Sequence, residues 1–311
     1  MTGEAELASE LTPELRVFVE FVAKKGRELY RDLPWRRTYD PYAIWISEVM
    51  LQQTQVSRVD GRWQRWLERF PTVDALAAAA PSDVLEEWQG LGYNRRALSV
   101  HRAAQAISEA GGVFPQDQKE LVKLPGIGPA TAAGIRAFAF NLHGVYLETN
   151  VRTVFLHELY PQAEGVPDSE LVPLVELTCP ASVEGAADVT DTDNTENDAT
   201  AALTPRSWYY ALLDYGAYLK KTIPNPSRRS KSHVKQTRFE GSHRQKRAEL
   251  LRVLLAHKDE GGAVFETLHQ ELCQIEVNAG RETLDEQVTL GLLEELAKEG
   301  FCQKNDEYWL P

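Results

Sequence analysis

Apolar residues recur at helical spacing in a series of short runs from about residue 13 to residue 160. Each run is cut off by Pro or Gly, and none alternates as a half-buried strand does. This pattern predicts an all-α core. Two of the runs, QKELVKL (118–124) and ATAAGIRAFAF (130–140), flank the turn LPGIG. Residues 207–219, SWYYALLDYGAYL, form another helical run dense in aromatic side chains, and 223–233, IPNPSRRSKSH, with two prolines, read as an extended basic loop. Residues 181–203 are small, acidic and nearly free of large apolar groups, the composition of a disordered insertion. Three further helical patterns (244–257, 264–274 and 284–300) precede FCQKNDEYWLP, which fits one short hairpin or strand.

With 311 residues and 43% hydrophobic side chains, the chain has material for two domains with real cores. No stretch approaches a membrane span and the N-terminus is acidic, so a cytoplasmic protein is expected, nucleoid-associated if it binds DNA. Cys179, Cys273 and Cys302 are too far apart for a disulfide framework or a metal-ligand spacing, so no metal is expected. The net charge of −12 argues against a nucleic-acid partner only as an average. Residues 164–198 carry ten acidic residues and no Lys or Arg, whereas 220–247 carry ten basic residues against Glu240 alone. Lys220, Lys221, Arg228, Arg229, Lys231 and Lys235 of that second stretch are candidates for a strip along a phosphate backbone; a solvated basic face is the other reading.

The turn at 124–132, LPGIGPATA, offers more specific chemistry. Gly126 and Gly128 permit positive φ and close approach of another backbone, Ile127 is the apolar residue between them, and Ala130 and Thr131 open the second helix. Amides at such a helix start, aided by the helix dipole, bind phosphate without reading a base. A turn that joins two helices only for packing has the same sequence. Upstream, Glu48 interrupts an apolar helical pattern between Trp45 and Leu51. A surface carboxylate is the ordinary fate of Glu; burial among Trp45, Met50 and Leu51 would instead raise its pKa towards neutrality.

LPWRR at Leu33, PYAIWISEVMLQQTQV from Pro41, GLGYNRRA from Gly90, LPGIGPATA from Leu124 and LETNVRTV from Leu147 together resemble the helix-hairpin-helix base-excision DNA glycosylases, most nearly the adenine DNA glycosylases of the MutY type. The resemblance implies a mainly α, two-lobed fold spanning residues 1–240, with a six-helix lobe over about 40–148 and a second lobe from 13–39 and 149–240. It also implies a double-stranded DNA partner holding a mismatched or damaged base, and a monomer. Glu48 would be the acid that protonates the purine, and Glu148 the carboxylate facing the oxocarbenium-like sugar, standing where the family has Asp. Trp35, Arg36, Leu51 and Tyr210 would line the base pocket. Gln53, Thr54 and Tyr93 would be wedge and strand contacts, and Gly126 to Thr131 the hairpin clamp, with room for a monovalent cation. Related lyases carry a lysine where this chain has Ala130, which implies a glycosylase without lyase activity.

Three departures limit the resemblance. The family's four-cysteine iron–sulfur loop should follow DYGAYL, yet 220–233 hold no cysteine, so no cluster is expected. Tyr210 stands where the family reads adenine with an acid or amide. Residues 241–311 are too short for the family's 8-oxoguanine-sensing domain and resemble a small winged helix-turn-helix, with a generic three-helix module as the alternative. Adenine opposite 8-oxoguanine or guanine is the expected target. Uracil or thymine opposite guanine, hypoxanthine, and a non-catalytic DNA-binding protein stay open.

Overall fold

The computed structural model describes residues 11–182, 202–232 and 238–311. In chain order its helices begin with α1 (Pro13–Glu28), a 3-10 turn (Pro34–Arg36), α2 (Pro41–Leu51), α3 (Val56–Val59), α4 (Arg62–Arg69), α5 (Val73–Ala78), α6 (Pro81–Trp88) and α7 (Arg95–Glu109). There follow α8 (Gln118–Leu121), α9 (Pro129–Phe140), α10 (Thr149–Glu158), α11 (Asp168–Thr178) and α12 (Pro205–Thr222). The chain ends with α13 (His243–Ala256), β1 (Ala263–Val264), α14 (Phe265–Asn278), α15 (Glu286–Glu299), β2 (Gln303–Asn305) and β3 (Tyr308–Leu310). Prolines and side-chain caps set many of the starts. Thr204 and Ser207 form a reciprocal capping box ahead of α12, and Asp117 accepts the amides of Lys119 and Glu120 at α8. Among the described residues no helix is long and apolar enough to cross a membrane.

The chain divides into two compact units, Met1–Val49 with Phe114–Lys235 and Met50–Val113 with Gln236–Pro311. In the first, α12 is the central element, packing against α1, α9 and α10. Its buried Trp208, Tyr209, Leu212 and Tyr215 share a core with Phe18, Phe138, Val154 and Phe155. Gly216 of α12 lies so close to the first turn of α10 that a Cβ there would meet the carbonyl oxygen of Asn150. The second unit is built on α5, α6 and α7 around Trp66 and Trp88, whose rings meet edge to face at 5.5 Å.

These units cut the chain differently from the expected boundary at 240. Residues 241–311 fall in the same compact unit as α3–α7. Lys258 donates to Asp83 and Glu86 at the N-terminal and later turns of α6, and Arg95 at the start of α7 forms a two-point pair with Glu299 of α15, which also holds Arg247. Exposed pairs of this kind are individually weak, and α6 and α13 also lie in direct contact. Within this segment β2 and β3 make the expected hairpin. The two-residue β1, too short to show a period, pairs antiparallel with β3 to give the order β1-β3-β2.

The basic stretch after α12 is not simply extended. Pro226–Arg229 is a 3-10 turn, and Ser230 bridges in parallel to Val166, with the Val166 amide donating to Arg229 and the Lys231 amide to Val166. The guanidinium of Arg229 caps the C-terminal end of α10 by donating to the carbonyls of Leu156, Tyr160 and Pro161. Residues 183–201, most of the acidic insertion, and Lys235 lie outside the described residues.

Candidate active site

Glu48 sits in the last two turns of α2, partly buried, between the buried Ser47 and Val49. The phenol of Tyr146 donates to its Oε2 at 2.9 Å. Loss of water around the carboxyl raises its pKa to about 7; the Tyr146 hydrogen bond and the charge of Arg36 oppose that rise, and the charge of Glu148 reinforces it. Tyr146 is itself buried and pushed well above the usual phenol range, so it stays a neutral donor. Room for this pair comes from Gly134 in α9. A Cβ there would overlap the Glu48 carboxylate and approach the edge of the Tyr146 ring to 2.9 Å.

Glu148 is the N-cap of α10, half-buried. Its Oε1 accepts the amides of Asn150 at 2.5 Å and Val151 at 3.0 Å. Burial raises its pKa, against the lowering effect of these amides and of the charges of Lys220 and Arg152. The carboxylate is thus folded back onto the start of α10. Capping and a charge aimed at a substrate are compatible uses of one group. Lys220 is half-buried and coupled to Glu148, with its pKa lowered by burial.

The remaining candidates separate into groups. Arg36 is buried and forms a two-point ion pair with Asp214 at 2.7 and 2.8 Å, its guanidinium 4.2 Å above the ring of Tyr210. Tyr210 in turn stacks on Phe138 at 4.6 Å. Trp35 is buried in its 3-10 turn. These three pocket candidates therefore lie buried in the first unit, with Arg36 and Tyr210 fastened to each other and to α9 and α12. Leu51, half-buried, ends α2 in the second unit, together with Thr54, Gln53 and Tyr93. Gln53 and Tyr93 are exposed and both have left-handed backbones, with φ of 55° and 50°. For a non-glycine residue that conformation costs about 1–2 kcal/mol, and such strain collects where a side chain must be presented.

At the hairpin, Gly126 takes φ of 77° and Ile127 is buried as its apolar anchor. Gly128, Pro129 and Ala130 are exposed at the start of α9, with Thr131 buried behind them, and no atom lies within 4 Å of where a Cβ on Gly128 would stand. Of the basic strip, Lys221, Arg228 and Lys231 are exposed, whereas Lys220 faces Glu148 and Arg229 is committed to α10. Among the described residues no group of three His, Cys, Asp or Glu side chains is placed to hold a metal ion.

Sequence reasoning passed over Tyr146, Gly134, Asp214 and Arg96. Arg96, Gly134 and Asp214 lie within the quoted runs but carry no local sign of their partners, and nothing local marks Tyr146 as the partner of an acid 98 positions earlier. A carboxyl that is half protonated near neutrality can give or take a proton. The alkaline limb of any acid-dependent activity should therefore fall with a midpoint near pH 7, since the protonated form is lost as pH rises through the pKa. A pH profile of single-turnover rate that stays flat through that range would contradict a donor role for Glu48.

Residues 46–196 match the model of the HhH-GPD superfamily of base excision DNA repair proteins. The adenine DNA glycosylase of Mycolicibacterium smegmatis is 35% identical over 235 residues, 72% of this chain and 75% of that protein. Its counterpart from Mycobacterium tuberculosis is 42% identical over 141 residues, covering 44% of this chain and 46% of the relative. Against the human adenine DNA glycosylase, 39% identity extends over 40% of this chain and 24% of that protein. Among solved structures, a thermostable thymine-DNA glycosylase superposes with a TM-score of 0.55 over 68% of this chain and 90% of its own, at 22% identity, a likeness of fold.

Proposed function

The chain belongs to the HhH-GPD superfamily of base excision DNA repair glycosylases, related to the adenine DNA glycosylases, and from that we propose a monofunctional enzyme that hydrolyses the N-glycosidic bond of a mismatched adenine. The observation that carries this reading is the Glu48 carboxyl, held near pKa 7 beside Tyr146 and within electrostatic reach of Glu148. Protonated Glu48 gives its proton to the departing purine as the bonding pair leaves with the base. The ionised Glu148 stabilises the positive charge left on the sugar, and a water then bonds to C1′ and returns a proton to Glu48.

The rest of the chain supports this scheme by position. The exposed start of α9 at Gly128 and Ala130 suits a DNA phosphate. Ala130 offers no amine for a Schiff base, which supports hydrolysis without strand cleavage. Lys221, Arg228 and Lys231 suit further phosphate contacts. In residues 243–311 the order helix, strand, helix, helix, strand, strand supports the winged-helix reading.

A panel of duplexes carrying A:8-oxoguanine, A:G, U:G, T:G and hypoxanthine tests the proposal, with abasic sites revealed by alkali. Excision is expected from the two adenine duplexes and only after alkali. Release of uracil, thymine or hypoxanthine alone would reassign the base, strand breaks without alkali would refute the monofunctional reading, and no release from any duplex would refute catalysis.

A further inference from the structure

Arg96, the second residue of α7, lies behind two of the exposed left-handed residues of the second unit, Gln53 and Tyr93. Its Nη1 donates to the carbonyls of Met50 at 3.1 Å and Gln52 at 2.6 Å. Its Nη2 donates to the Thr54 hydroxyl at 3.0 Å and to the carbonyls of Leu91 at 3.2 Å and Gly92 at 2.9 Å. The acceptors come from two separate loops, one on either side of Gln53 and the other immediately before Tyr93. The guanidinium also lies 5.6 Å from the Tyr93 ring and 5.1 Å from that of Trp88, whose Nε1 donates to Gly92 at 3.1 Å.

We propose that Arg96 is the positioning residue for base extrusion: one planar fork ties together the loops 50–54 and 90–93 and holds Gln53 and Tyr93 outward in their left-handed conformations. The inference rests on the glycosylase reading for its purpose, but not for its geometry. A non-glycine residue persists at positive φ only where its surroundings over-determine it. The guanidinium bonds the main chain just before Gln53 and just before Tyr93, and the Thr54 hydroxyl just after Gln53, so it fixes the backbone from which each exposed side chain stands. Thr54 adds a second link, its hydroxyl reaching the carbonyls of both Gln52 and Leu91. Lysine cannot substitute, because an ammonium donates from a single centre and cannot reach both loops with the directions of a fork. Burial lowers the pKa of Arg96 only to about 10, so it remains a cation at neutral pH.

Arg96→Lys tests this with three readouts. In the free protein, hydrogen exchange should accelerate at the amides of 50–54 and 90–93 and remain unchanged in α9 and α12. With duplex DNA, binding to an undamaged sequence should be unaltered. The fluorescence of a 2-aminopurine placed beside the target base, which reports extrusion, should fall, and single-turnover excision should slow by about 10²-fold. Thr54→Val removes one acceptor while leaving the cation, and should shift exchange in the same two loops and slow excision by about tenfold. It decides the matter if Arg96→Lys does not fold. Exchange unchanged in both loops, or excision equal to wild type when exchange has changed, would overturn the proposal. An inactive wild-type protein with loosened loops in the variants would refute the glycosylase reading and leave the brace standing.

Discussion

Glu48→Gln is expected to slow single-turnover excision by about 10³-fold while leaving duplex affinity unchanged. Glutamine keeps the shape of the side chain and can still accept the Tyr146 hydrogen bond, so the first unit should fold as before. What it lacks is a proton to transfer. The same substitution should also change stability in a pH-dependent way, which serves as an internal check that Glu48 is buried as described. A carboxyl whose pKa rises from 4.5 to about 7 on folding contributes stability that is complete below 4.5 and lost as pH rises through 7. The variant has no such loss, so its melting temperature relative to wild type should increase from acid to alkaline pH. Rates and melting curves measured across that range test both halves. Excision equal to wild type would remove Glu48 from the chemistry.

Gly134→Ala should be nearly as damaging to activity although it deletes nothing. In an ordinary helix interior this change stabilises by about 1 kcal/mol. Here the added Cβ would overlap the Glu48 carboxylate and press on the Tyr146 ring, and overpacking of that kind costs about 1–3 kcal/mol. The two effects leave a net loss of stability of at most about 2 kcal/mol, tolerable for a folded domain. Catalysis has less latitude, because the acid must move away from its hydrogen-bond partner. A fall of about 10²-fold in excision is expected, with a melting temperature only modestly lower. An alanine variant with full activity would mean that the carboxyl can leave this position without consequence.

What could be read from the chain alone was what is local. The hairpin is a run of nine residues whose prolines and glycines act within one turn, and the acid on α2 was conspicuous because its neighbours are apolar. Glu148 was readable in both its uses, as a helix-starting acid and as a family carboxylate, and its geometry serves the first directly. By contrast, Arg36 pairs with Asp214 across 178 positions, and Tyr210 stacks on Phe138 from another helix; no period in the sequence links either pair. The basic stretch after α12 looked uniform as a list of charges. Folding divides it, turning Arg229 onto helix carbonyls and Lys220 towards Glu148 while leaving Lys221, Arg228 and Lys231 in solvent. Association of 236–311 with 50–113 likewise brings together residues far apart in the chain, such as Arg95 and Glu299, which carry no local signature.

Gly134 and Gly128, both at or within α9, are hydrogen-for-methyl choices with opposite orientations. At Gly134 the clearance points inward and is already filled by the protein's own acid and phenol. At Gly128 it points outward into open space, and the fold would accept a methyl group without contact. Tolerance to alanine therefore carries different information at the two positions: at one it measures how tightly the chain has fitted its own parts together, at the other how closely something that is not the chain must come.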